Sequence, residues 1–172
     1  MRYVLIDRIQ DLVPGKSIVT VKNLSLAEEY LADHFPGFPV MPGVLMLEAM
    51  TQSAAWLIRA TEDFQHSTIL LKSAKMIKYG SFVEPGRQLS LHVELAGPIT
   101  DPANISMKGK GVIDGQVMVQ GRFSLVCSNL ADRDPKLAAT DASLIDHLKE
   151  LYSTLLMGAV ASKARSREVS SV

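Results

Sequence analysis

From Val44 to Ala60 the chain carries no proline or glycine and is rich in Leu, Met and Ala, and it is entered from a segment that cannot be regular structure. In that segment, His-Phe-Pro-Gly-Phe-Pro-Val-Met-Pro-Gly from His34 to Gly43, each proline removes a backbone donor and biases the residue before it toward extended geometry. Gly37 and Gly43 allow close approach by other groups. A rigid, non-helical run therefore brings His34 toward the start of a helix of about five turns, with Pro42-Gly43 as its opening. That helix is apolar nearly all round, so it must be buried, and the rest of the chain must supply its cover.

Glu48 interrupts the apolar surface, with Thr51 and Gln52 following at i+3 and i+4 on one face. A carboxylate in such a helix is costly unless something pairs with it or uses it. Singly, Glu48 reads as a carboxyl satisfied by Gln52 or by a distant base, and His34 as a structural histidine. Together, an imidazole, a carboxyl and the free N–H groups of a helix start suit acid–base chemistry beside a carbonyl.

The run from His34 to Gln52 closely resembles the active-site signature of bacterial (3R)-hydroxyacyl-(acyl-carrier-protein) dehydratases of the hotdog fold. There His-Phe-Pro-Gly-x-Pro-x-x-Pro-Gly-Val-Leu leads into a helix with Glu-Ala and a Gln. The likeness extends back through Leu5-Ile6-Asp7-Arg8 and Pro14-Gly15-Lys16, and forward with decreasing strength to about Cys127. It implies an α+β hotdog, an antiparallel sheet wrapped around a long central helix, over residues 1–128. It also implies dehydration of (3R)-hydroxyacyl thioesters to trans-2-enoyl thioesters in fatty-acid or related lipid biosynthesis. The acyl chain would be held on an acyl-carrier protein, with CoA as the alternative carrier.

By the same resemblance, His34 removes the α-proton and Glu48 assists departure of the hydroxyl. The Gly43 N–H matches the donor to the thioester carbonyl, and Gln52 orients Glu48. Relatives pair two hotdogs side by side and build each site from the histidine of one chain and the carboxyl of the other. The expected assembly is thus a homodimer with shared sites, extending to a trimer of dimers. No cofactor and no metal are called for. Relatives that also isomerise the double bond carry Asp at the Glu48 position, which leans the reading away from isomerisation. The chain departs from the pattern between Lys78 and Arg87, where Gly80, Ser81, Phe82 and Arg87 replace more basic residues and a proline. Lys72, Lys75, Lys78 and Arg87 are candidates to meet an acidic carrier; solvated surface is the alternative.

The rest of the chain supplies strands. Tyr3 to Leu12 and Ser17 to Leu24 flank the turn Val13-Pro14-Gly15-Lys16. Ser25 to Glu28 has capping-box spacing, which predicts a short helix over 26–32. Thr68 to Lys78 is a further strand. Leu89, Leu91, Val93 and Leu95 alternate with Ser90, His92 and Glu94 in the clearest strand pattern of the chain. Asp114-Gly115 marks a two-residue hairpin between strands at 105–113 and 116–127. After a linker beginning Asp132-Arg133-Asp134-Pro135, an amphipathic helix is expected from Asp141 to Ala161. Its stripe comprises Leu144, Ile145, Leu148, Leu151, Tyr152, Leu155 and Leu156, and a disordered end is expected from Ser162.

Lys plus Arg equals Asp plus Glu at 18 each, so the basic excess of a nucleic-acid binder is missing. A lone Cys127 excludes a disulfide framework and reads as a core residue. Met1-Arg2-Tyr3 enters a strand pattern directly, and the apolar helix falls short of a membrane span, so a cytoplasmic setting is expected. Gly109-Lys110-Gly111 superficially resembles a dinucleotide fingerprint but leads into a hairpin, not a helix, and is rejected. His66, His92 and His147 have no companions at ligand spacing. Two other functions compete with dehydration: a hotdog thioester hydrolase, and a non-catalytic acyl-binding or assembly subunit.

Overall fold

In the computed structural model, which describes residues 4–35 and 37–169, six strands make one antiparallel sheet and a long helix lies across it. In chain order the elements are β1 (Arg8–Val13), β2 (Ser17–Asn23), α1 (Gly43–Thr61), β3 (Thr68–Tyr79), β4 (Gln88–Leu95), β5 (Ile105–Ile113), β6 (Gln116–Ser128) and α2 (Ala138–Val169). The strand order is β1-β2-β4-β5-β6-β3. This is the α+β hotdog arrangement. The helix separates β2 from β3 in sequence, and the sheet reunites beneath it through the pairs β2–β4 and β6–β3.

Local chemistry explains most of these bounds. Leu89, Leu91 and Val93 are buried while Glu94 is exposed, as alternation requires when one face covers a helix. Asp114 and Gly115 both take positive φ (48° and 84°), the geometry that lets a two-residue turn follow the strand twist. The core of α1 is buried on every face, from Ala49 through Arg59. One face seats on β5, where a Cβ on Gly109 would stand 2.9 Å from Met50 Sδ, so glycine makes room for the helix. Toward the C-terminal end of α1, Tyr152 of α2 stacks on Trp56 at 6.0 Å and meets Phe64 edge-on at 5.4 Å, and Leu155 is buried.

The structure differs from the sequence expectations in three places. The helix predicted over 26–32 is only a 3-10 turn, Glu29–Leu31. Glu28 pairs with Lys22 at 2.6 Å, and Leu26 stays exposed with nothing to pack on. The first strand starts at Arg8; Leu5 and Ile6 are buried outside it, and Tyr3 lies outside the described residues. α2 begins at Ala138, three residues before Asp141, following a 3-10 turn at Pro135–Leu137 in which the Asp134 carboxylate accepts from the Lys136 N–H. Its backbone continues to Val169, through part of the end expected to be disordered; residues 170–172 lie outside the described residues. Leu144, assigned to the buried stripe, is instead exposed at its margin. Among the described residues no helix is long and apolar enough to cross a membrane.

Candidate active site

His34 sits on the loop between the 3-10 turn and α1, half-buried. Its Nδ1 is 2.9 Å from the carbonyl of Val40. A carbonyl only accepts, so in the neutral ring Nδ1 carries the proton and Nε2 presents a lone pair. The loop that fixes this is tightly built. Phe35 adopts φ 54°, a left-handed conformation uncommon for an aromatic residue. Its ring meets the His34 ring edge-on at 4.4 Å, and its carbonyl accepts from the Phe38 N–H at 2.7 Å. The Met41 N–H donates to the Val83 carbonyl at 2.8 Å and Phe38 packs edge-on against Phe82, which fastens the loop to the segment after β3. Pro36 lies outside the described residues.

At the start of α1 the Pro42 carbonyl accepts from Leu45 and Met46 at 2.9 and 3.3 Å, and Pro42 has no side chain that can cap. The N–H groups of Gly43 and Val44 have no hydrogen-bond partner among the described residues, and no acidic side chain stands in the first turn. This end of the helix therefore offers uncompensated donors to an incoming oxygen. The Tyr79 ring lies directly over Gly43: a Cβ there would be 3.1 Å from Tyr79 Cε1.

Glu48 is half-buried on α1, and its Oε1 accepts from Gln52 Nε2 at 3.0 Å. Gln52, buried, accepts through Oε1 from the Leu5 N–H at 2.9 Å. Because Leu5 N–H can only donate, the orientation of the carboxamide is determined: oxygen to Leu5, NH₂ to Glu48. The Thr51 hydroxyl turns back onto the Leu47 carbonyl at 3.0 Å. The structure thus joins Glu48 to Gln52 and sets His34 on the loop leading to Gly43. Within one chain, no hydrogen bond or ion pair joins His34 to Glu48 among the described residues.

Of the four basic candidates, Lys72 donates to the Ala103 carbonyl at 2.8 Å and Arg87 pairs with Asp114 at 3.3 Å, so both are engaged away from the helix start. Lys75 and Lys78 project from β3. No group of three or more potential metal ligands occurs among the described residues. Cys127 is buried, and burial, with Glu62 nearby, pushes its thiol up to about 12, so it stays protonated as a core residue. Sequence reasoning missed Tyr79 and Leu5. The only signal for Tyr79 was its place in the segment that departs from the family pattern; the Leu5 contact is made by backbone and left no signal.

Residues 1–122 match the FabA-like domain family. The chain belongs to that family. Proteins similar to this FabA-like chain include the 3-hydroxyacyl-(acyl-carrier-protein) dehydratase FabZ of Levilactobacillus brevis, 47% identical over 89 residues. That match takes in 52% of this chain and only 60% of the relative's length. The Myxococcus xanthus protein of the same name is 33% identical over 143 residues, covering 82% of this chain and 90% of its own length. That of an Anaeromyxobacter species is 36% identical over 136 residues, covering 77% and 83%. Among solved structures, the dehydratase heterocomplex ApeI:P from Xenorhabdus doucetiae superposes with a TM-score of 0.62 at 17% identity, over 78% of this chain and 90% of that one. At that identity the likeness is one of fold, the hotdog.

Proposed function

We propose that this FabA-like chain dehydrates (3R)-hydroxyacyl thioesters to trans-2-enoyl thioesters, with the acyl group on an acyl-carrier protein, in fatty-acid or related lipid biosynthesis in the cytoplasm. The observation that carries the reading is the Val40 carbonyl on His34 Nδ1, which leaves Nε2 as a base at the head of the segment that opens α1. In the reaction Nε2 takes the α-proton. Negative charge that develops on the thioester oxygen is met by the Gly43 N–H and the positive end of α1. The Glu48 carboxyl gives a proton to the departing hydroxyl, which leaves as water with the electron pair of the Cβ–O bond, and the pair left by the broken α C–H bond becomes the second bond between the α and β carbons. Gln52 positions Glu48 through the hydrogen bond to its Oε1.

The reading places residues 1–128 as the catalytic domain and 129–172 as an appended segment. It also requires two chains. Among the described residues β3 is an edge strand of 12 residues paired only with β6, and Leu70, Met76 and Tyr79 are exposed along it. An open edge of that length with apolar side chains is a template for pairing with a second copy. Such a dimer would supply to His34 a carboxyl that its own chain does not bring into hydrogen-bond contact, and three dimers would extend the assembly.

Incubation with a (3R)-3-hydroxybutyryl thioester tests the activity. Growth of enoyl absorbance is expected, and it should vanish in folded His34→Ala and Glu48→Ala. Release of free thiol without enoyl product would make the chain a hydrolase instead, and a folded variant at either position with near-normal rates would overturn the roles assigned.

A further inference from the structure

The face of the sheet turned away from α1 holds a groove of about 620 Å³ that the dehydration chemistry does not use. Two adjacent rungs of side chains run across it, all of them lining it except Lys75, which stands at the end of the first. In one, Glu94 of β4 stands opposite Lys108 of β5, Lys108 opposite Arg122 of β6, and Arg122 opposite Lys75 of β3. In the next, His92 stands opposite Lys110, Lys110 opposite Gln120, and Gln120 opposite Lys78. Like charges directly opposite across strands are destabilising, yet Lys75, Arg122 and Lys108 follow one another in register over three strands. Among the described residues, Lys108 is the one of these cations with an acidic partner, Glu94 at 3.3 Å. Five of the chain's 18 Lys and Arg residues stand in these two rungs, beside one carboxylate, Glu94.

We propose that this groove binds a small anion carrying two or more phosphate groups, on the opposite side of the sheet from the thioester site. The volume falls within the range of small-molecule clefts and is too small to seat a protein domain. Successive same-face residues such as Lys108 and Lys110 are about 7 Å apart along a strand, so each rung can take its own phosphate. Arg122 supplies a forked donor set suited to phosphate oxygens, and the lysines supply point charge. Pairing along the β3 edge leaves this outer face open, so the site is compatible with the dimer proposed above and does not depend on it.

His92 reports on the groove from within. Its imidazole is held below its ordinary range by burial and then by Lys110. Around it stand Ser90 at 3.2 Å and Glu94 on its own strand, Lys108 and Lys110 on β5, Gln120 and Arg122 on β6, Lys78 on β3, and Asp11 of β1 beyond Val19. An anion seated among these cations would favour the protonated ring and move its titration upward.

The test is a titration of the full chain with inorganic tripolyphosphate at fixed ionic strength, read by thermal melting and by the His92 ring resonances in NMR. Saturable binding is expected, with a rise in melting temperature and an upward shift of the His92 titration. Arg122→Gln and Lys110→Gln, each checked for folding by circular dichroism, should bind roughly tenfold more weakly or worse. Lys78→Gln serves in place of either that does not fold. His34→Ala should bind as the unaltered chain does. A response matched by sulfate at equal ionic strength would reduce the groove to charge screening and overturn the proposal. So would unchanged binding in the folded groove variants, or loss of binding in His34→Ala, which would put the anion at the helix start.

Discussion

Gln52 donates its carboxamide N–H to Glu48 at 3.0 Å while its oxygen is committed to the Leu5 N–H at 2.9 Å, so the carboxyl is oriented from the N-terminal segment through one buried side chain. Gln52→Leu removes both bonds. The buried Leu5 N–H is then without its acceptor, a loss of about 1–3 kcal/mol in stability, and Glu48 is no longer held. Gln52→Glu keeps an acceptor for Leu5 but not the donor to Glu48, so it should lose turnover with a smaller loss of stability. Urea denaturation beside kcat separates the two effects. Full turnover in a folded Gln52→Leu would show that Glu48 needs no support from this side chain.

Asp141 joins α2 to the rest of the chain. Burial pushes its carboxyl up, but hydrogen bonds from the Ser67 hydroxyl and the Ala131 and Leu130 N–H groups outweigh that and hold it below its ordinary value. A group depressed in the folded state lends stability that is present above its unfolded value, about 3.9, and is lost as pH falls through the lower folded value. Asp141→Asn should therefore melt at a lower temperature than the unaltered chain near neutral pH. The gap should narrow below about pH 4 as the native carboxylate is protonated. Melting curves from pH 7 to pH 2.5 check this, and a constant gap across that range would count against it.

Two glycines bordering the site should respond differently to alanine. At Gly80 a Cβ would meet the Val117 carbonyl oxygen at 2.3 Å, and backbone of a paired strand cannot step aside. Gly80→Ala should cost roughly 1–3 kcal/mol or more. At Gly43 the obstacle is the Tyr79 ring at 3.1 Å, a half-exposed side chain that can move. Gly43→Ala should stay within about 1 kcal/mol of the unaltered chain, a lesser cost than overpacking a closed core. It would still push Tyr79 off the helix start and raise KM. Denaturation and steady-state kinetics on both variants distinguish a framework glycine from one that shapes the site.

Elements whose chemistry is local were legible from sequence. Alternation and the Asp114-Gly115 turn locate β4, β5 and β6 to within a residue, and the Pro/Gly run ending at Gly43 does the same for the start of α1. His34, Glu48 and Gln52 attract notice because each is out of place in its setting, and no packing knowledge is needed to see that. What depends on distant partners was not legible. The capping-box spacing at Ser25 and Glu28 misled because Lys22 claims the carboxylate. Gly109 and Gly111 looked like a degraded nucleotide motif, yet Gly109 makes room for Met50 and Gly111 for Val119 and Leu89. Tyr79 over Gly43, and Tyr152 against Trp56, are set by how the sheet curls and where α2 lands, which no local pattern encodes.

The proposed sharing of each site between two chains gives a sharp prediction for mixed dimers. Suppose each reaction centre takes His34 from one chain and Glu48 from the other. A dimer of one His34→Ala chain and one Glu48→Ala chain then has one centre lacking both groups and one with both intact. Each variant alone has no complete centre. Co-refolding the two inactive proteins should therefore restore activity, whereas refolding either alone should not. If each chain served its own centre, every centre in the mixture would lack one group and no activity would return. Leu70→Arg, which places a charge on the open β3 edge where Leu70 is 58% exposed, should abolish the rescue and leave a folded monomer by light scattering. Recovered turnover that survives Leu70→Arg would move the pairing surface elsewhere, and no recovery at all would count against a centre shared between chains.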